Sequence, residues 1–160
     1  MSQVTEFLSR SFSFNVKTAR MTTEGFRAED WSRVPAAEGG NTAHWIFGHI
    51  VAARRGLARK LGGDVPELEW EATFDMNTRP ESTDGYPTPE ELTRDFETTD
   101  AVLSKLLGSL TDEQASSEWG AFPDGGKTLL DGAQFFFFHE SYHLGQLGLI
   151  RRMGGKPGFA

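Results

Sequence analysis

Apolar residues recur at helical spacing in four separate stretches of the chain, and none alternates with polar residues over a strand's length. In residues 3–26, Phe7, Leu8, Phe12, Ala19 and Phe26 follow an approximate 3.6-residue period without Pro, which predicts a helix ending near Gly25. The segment 27–40, with Pro35 and the Gly39-Gly40 pair, reads as a connection. Asn41 is the expected N-cap of a second helix, 42–61, in which Trp45, Ile46, His49, Ile50, Ala53 and Leu57 share one stripe. Arg54, Arg55, Arg59 and Lys60 lie towards its C-terminal end, where cations suit the helix dipole, and Gly62-Gly63 stops it.

Residues 62–87 keep no period and contain Pro66, Pro80, Gly85 and Pro87, so they form a long connection, a kind of segment that often carries function. Thr88-Pro89-Glu90-Glu91 combines a capping box with Pro at the first helical position. The third helix then runs through Leu92, Phe96, Thr99, Leu103, Leu106, Leu107 and Leu110. After a connection at 111–126, in which Trp119, Phe122 and Pro123 can lean on the end of the molecule, Thr128 and Asp131 open a fourth helix reaching about Met153. Four helices and no strand predict an all-α four-helix bundle, with the long 62–87 connection free to cross its end in an overhand topology.

The length of 160 residues suits a single domain, 1–160, with one core. Lys and Arg number 16 against 23 Asp and Glu, giving a net charge of −7, which disfavours a phosphate-binding surface and so a nucleic-acid partner. The first residues have neither a basic region nor a long apolar stretch, and the aromatic run Phe135 to Phe138 is far short of the roughly 18 residues of a spanning helix. The expectation is therefore a cytoplasmic protein without a membrane partner. There is no Cys, so any metal must be held by His, Asp or Glu.

Against that background the 4 His become selective. His139 and His143, four residues apart, lie on one helix face about a turn from each other, as two nitrogen ligands to a single metal must. His49, inside the apolar stripe of helix two, is the candidate third ligand from a second helix. His44 is rotated about 140° from His49 around the same helix and is left out of the site. Three imidazoles without a carboxylate or thiolate correspond to a catalytic site with an open position rather than to a closed structural one. Gln146, near one turn after His143, is a candidate partner for a ligand's second nitrogen or for a substrate.

His139 to His143 also spells H-E-x-x-H, with Glu140 as the general base of a zinc hydrolase. The residues after His143 include no His, Asp or Glu to complete a zincin site, so Glu140 is more simply a partner of a ligand or a boundary residue. Gly145 and Gly148 weaken a helix interior and point to close helix approach or dimer packing. Phe135 to Phe138 cover all sides of helix four, so it should be widely buried, either centrally or in a homodimer.

Asn41-Thr42-Ala43-His44-Trp45-Ile46-Phe47-Gly48-His49-Ile50 resembles the W-x-x-G-H-I second helix of the DinB/YfiT-like metalloenzyme family. His139-x-x-x-His143-Leu144-Gly145-Gln146-Leu147 is similar to that family's fourth helix, and the ending Leu149 to Gly155 fits as well. Around the second helix-four ligand the family often has Arg or a further His, where this chain has Tyr142 and Leu144. The resemblance implies a four-helix bundle holding a divalent metal, zinc or nickel, on His49, His139 and His143. It further implies a small-molecule substrate, with a low-molecular-weight thiol as candidate, and an S-transferase or isomerase type of reaction, or activation of water. Trp70, Phe74 and Tyr86 of the long connection would then be either a substrate wall or a packed cover. The competing reading is a non-catalytic metal-binding stress-response or interaction protein. The family's name derives from damage induction, but the net charge of −7 speaks against DNA contact.

Overall fold

Thr and Ser side chains start every long helix. In the computed structural model, which describes residues 2–35, 40–76, 78 and 83–158, these are α1 (Gln3–Thr23), α3 (Ala43–Lys60), α4 (Pro89–Ser109) and α6 (Leu129–Met153). Ser2, Thr42, Thr88 and Thr128 each accept a bond from a backbone N–H three residues on, satisfying a donor that has no partner within the helix. The cap of α3 is thus Thr42, one residue later than the expected Asn41. The connections add two one-turn helices, α2 (Ala28–Trp31) and α5 (Asp112–Ala115), and a 3-10 turn at Glu69–Phe74. The described residues contain no β-strand, and one isolated bridge joins Glu118 to Thr128. No helix is long and apolar enough to cross a membrane among the described residues. Gly39, Pro80 and their neighbours, at 36–39, 77 and 79–82, lie outside the described residues.

The four long helices pack in a ring in which α1 and α3 each touch both α4 and α6. Helices α1 and α3 therefore stand on one diagonal and α4 and α6 on the other. This corrects the expected crossing: the first and last connections span the diagonals, whereas 62–87 joins neighbours and folds its 3-10 turn back onto α3.

The core has two apolar clusters, one around Ile50, Phe96 and Leu147 and the other around Phe12, Leu57 and Leu103. Arg54 lies between them, with its guanidinium carbon 3.9 Å from the Phe96 ring centre and 5.4 Å from that of Phe12. It is 0% exposed and hydrogen-bonds to all three other long helices: the Phe12 carbonyl of α1, Asp100 of α4 and Glu140 of α6. Arg54 and Arg55 are buried and ion-paired, so carboxylates of other elements, beyond the helix dipole, compensate their charge. Helix α6 is likewise not buried all round: Phe135, Phe136 and Phe137 are half-buried, but Phe138 is 63% exposed.

Candidate metal centre

Two local features of α3 place the His49 ring. Trp45, one turn earlier, stacks on the imidazole with centroids 4.8 Å apart and planes 13° from parallel. Gly48 leaves room for Phe74 to pack against the helix, since a Cβ there would stand 2.2 Å from the Phe74 ring. Phe74 is fully buried against α3, and its backbone carbonyl accepts the His49 Nδ1–H at 2.7 Å. A carbonyl can only accept, so Nδ1 carries the proton and Nε2 of the neutral ring presents its lone pair.

The 3-10 turn that delivers this carbonyl is itself anchored to α3. Glu71 accepts from Arg55 Nε at 2.8 Å, from Arg59 and from the Leu68 N–H. Trp70 and Tyr86 pack on Phe74, with Arg55 over the Trp70 ring at 5.7 Å. Phe74 is a packed cover that also sets the His49 tautomer, whereas Trp70 and Tyr86 are half-buried beside it.

On α6, His143 donates its Nδ1–H to Gln146 Oε1 at 2.7 Å, and Gln146 Nε2 donates to the Tyr142 hydroxyl at 3.3 Å. Gln146 thus accepts from the imidazole and leaves Nε2 of His143 free. Phe135 stacks on His139 at 6.2 Å and 24°, and Trp119 stacks on Phe136 behind it. Trp119 reaches that place because Gly132 has no side chain; a Cβ there would meet the indole at 1.9 Å.

The three imidazoles converge: one nitrogen from each of His49, His139 and His143 lies within 4.8 Å of the others, a group that could hold a metal ion. His49 Nε2 and His139 Nε2 are 2.9 Å apart, and His139 Nδ1 is buried without a partner. Whichever nitrogen of His139 carries the proton, one buried nitrogen of the pair lacks a partner of the right kind. A cation shared by the Nε2 lone pairs would relieve the contact between them, and imidazole nitrogens suit a divalent transition metal. Burial lowers the pKa of all three rings. For His139, burial and then the neighbouring imidazoles push it down to about 3. The rings are therefore neutral near pH 7, the form in which imidazole binds metal.

The other sequence candidates fall elsewhere. His44 donates its Nε2–H to the Pro87 carbonyl at 2.8 Å, and its ring packs on Trp31 and Tyr86. Glu140 is 1% exposed and turned into the core, where its oxygens accept from Arg54 and Asn15. It is placed neither as a general base nor as a partner of an imidazole. Sequence reasoning missed the role of the Phe74 carbonyl, Glu71 and the pairing of Arg54 with Glu140. The signals for them were Gly48 beside a candidate ligand and an Arg at the centre of an apolar face.

Fold and site together define a helical bundle with a three-imidazole group of metal-holding type. Residues 12–147 match the sequence model of the DinB superfamily, and the chain belongs to that superfamily. Comparison with curated proteins gave no match.

Proposed function

We propose that the protein is a divalent-metal enzyme in which His49, His139 and His143 hold zinc or nickel, and that it activates a small thiol or water towards an electrophilic small molecule. The observation that carries this reading is the convergence of three neutral imidazoles, two of them with Nδ1–H already committed to a carbonyl oxygen. A divalent cation on three neutral ligands keeps its charge and open positions, and so lowers the pKa of a water or thiol bound there.

The chain's own residues orient and enclose. Phe74 and Gln146 fix two tautomers, and the partly exposed Phe135 and Tyr142 flank the imidazoles with aromatic surface, which favours an apolar or aromatic electrophile over a highly charged one. With no Cys in the chain, a reacting thiol arrives as a substrate. Glu140, held by Arg54, supports no H-E-x-x-H hydrolase mechanism.

The test is metal analysis of purified protein followed by turnover assays with low-molecular-weight thiols against activated alkenes and epoxides, and with esters for water. Stoichiometric zinc or nickel, lost in His49→Ala, with metal-dependent turnover of one of these pairs is the expected result. Protein without stoichiometric metal overturns the site. Metal without turnover supports the non-catalytic reading instead.

A further inference from the structure

From His49 onward, one face of α3 continues through Ala53, Gly56 and Lys60, in steps of four, three and four residues. Ala53 and Gly56 are partly exposed, and a Cβ at Gly56 would meet only the Arg59 guanidinium, at 4.0 Å. Between the imidazole and Lys60, no large side chain of α3 rises from this face.

The Lys60 ammonium lies over the Trp119 ring, 5.4 Å from its centre. Trp119 stacks on Phe136 at 5.6 Å and 12°, and Phe136 meets the His139 ring edge-on at 6.2 Å. A continuous aromatic wall therefore runs from a candidate ligand to the ammonium. Trp119 is seated on α6 at Gly132, seven residues before His139, which is about 10 Å along the helix axis.

Lys60 differs from the other cations of α3. Arg54 is paired with Glu140 and Asp100, Arg55 with Glu71 and Asp95, and Arg59 with Glu71. Among the described residues Lys60 has a ring beneath its ammonium and no carboxylate partner. The helix dipole accounts for a cation in the last turn, but not for its being laid on the wall that begins at the imidazoles. In a chain of net charge −7 most of the surface repels an anionic molecule, and an uncompensated ammonium beside the site offsets that repulsion locally.

We propose that Lys60 is a specificity-determining residue that holds the anionic end of an elongated thiol substrate. The sulfur lies at the three imidazoles, an apolar middle runs along Phe136 and Trp119, and a carboxylate about 10 Å away meets the ammonium. This rests on the reading of the imidazoles as a metal site that activates a thiol. The charge belongs to the thiol, which leaves the apolar electrophile to the Phe135 and Tyr142 side.

Isothermal titration of the zinc-loaded protein with mercaptooctanoate and its neutral analogue mercaptooctanol tests the proposal. The wild type is expected to bind the acid about fivefold tighter, the upper worth of an exposed ion pair, and the difference should shrink in about 1 M salt. Mercaptopropionate, too short to span the wall, should show no gain over mercaptopropanol. Lys60→Gln should erase the preference and Lys60→Glu reverse it, while Lys60→Arg keeps it. Zinc content and melting temperature should be the same in all three variants, which separates charge recognition from a merely structural role. Equal binding of the two long thiols to the wild type overturns the proposal and leaves the thiol site standing. So does a preference that survives in Lys60→Gln. If neither long thiol binds, the thiol reading of the metal site falls and the proposal falls with it.

Discussion

Arg54 and Glu140 form a two-point ion pair in the centre of the bundle, with Nε donating to Oε1 at 2.7 Å and Nη2 to Oε2 at 2.8 Å. Arg54 follows His49 by five residues on α3, and Glu140 directly follows His139 on α6. The pair therefore ties together the two helices that bear the imidazoles.

Such a pair adds little net stability over apolar packing, but removing one partner strands a buried charge at about 3–5 kcal/mol. Glu140→Ala should lose about that much in urea unfolding, whereas Arg54→Met/Glu140→Leu should lose far less. If the pair holds the register, the double variant stays folded while its zinc affinity falls about tenfold, by analogy with the loss of a ligand's supporting partner. A folded double variant with wild-type affinity would remove the register role.

Gly48 links packing to the ligand. In Gly48→Ala the new methyl meets the Phe74 ring, so the 3-10 turn must move and carry its carbonyl away from His49 Nδ1. The expected cost is about 1–3 kcal/mol of stability, as for other overpacked cores. Zinc affinity should fall about 10–100-fold. Adding Phe74→Leu should recover stability by relieving the clash. Thermal melts and chelator competition on the single and double variants measure both effects.

The long helices were readable because caps and apolar periods act locally: Thr88, Thr128 and the Leu series of α4 need no knowledge of the rest of the chain. The three imidazoles were readable for the same reason, since spacing along one helix fixes a face. What stayed hidden depends on which helices are neighbours. The stripe through Trp45, His49 and Leu57 is one flank of a wider buried face centred near Arg54, and only contact with α1, α4 and α6 makes a central Arg tolerable. Glu140 looked like part of a catalytic motif because it follows His139, yet one residue along a helix is a turn of about 100°, enough to aim it at the core. The role of Phe74 rests on a backbone carbonyl, which no side-chain pattern reports.

Gln146 affects binding more than folding. It is only half-buried and its amide spans from His143 Nδ1 to Tyr142, so Gln146→Leu should change the melting temperature little. Without the acceptor, the His143 tautomer is no longer fixed, and zinc affinity should drop about 10–100-fold. Gln146→Glu retains an acceptor there and should hold the metal at least as well as the wild type. Isothermal titration of the three proteins decides this, and equal affinity in Gln146→Leu would show that the amide does not orient the ligand.

Glu71 makes the anchoring of the 3-10 turn sensitive to acid. Burial opposes its ionisation, but hydrogen bonds from Arg59, Arg55 and the Leu68 N–H outweigh burial and hold its pKa below the ordinary 4.5. A carboxylate whose folded-state pKa is depressed binds fewer protons folded than unfolded, so stability rises with pH across the interval between the two values. Its contribution is complete above about the unfolded value and disappears as pH falls through the folded one. Glu71→Gln should therefore be less stable than the wild type at neutral pH, with a flatter loss of stability on acidification, and the two curves should approach each other below pH 4.5. Urea midpoints across the acid range give both curves, and parallel curves would show that Glu71 contributes nothing through its charge.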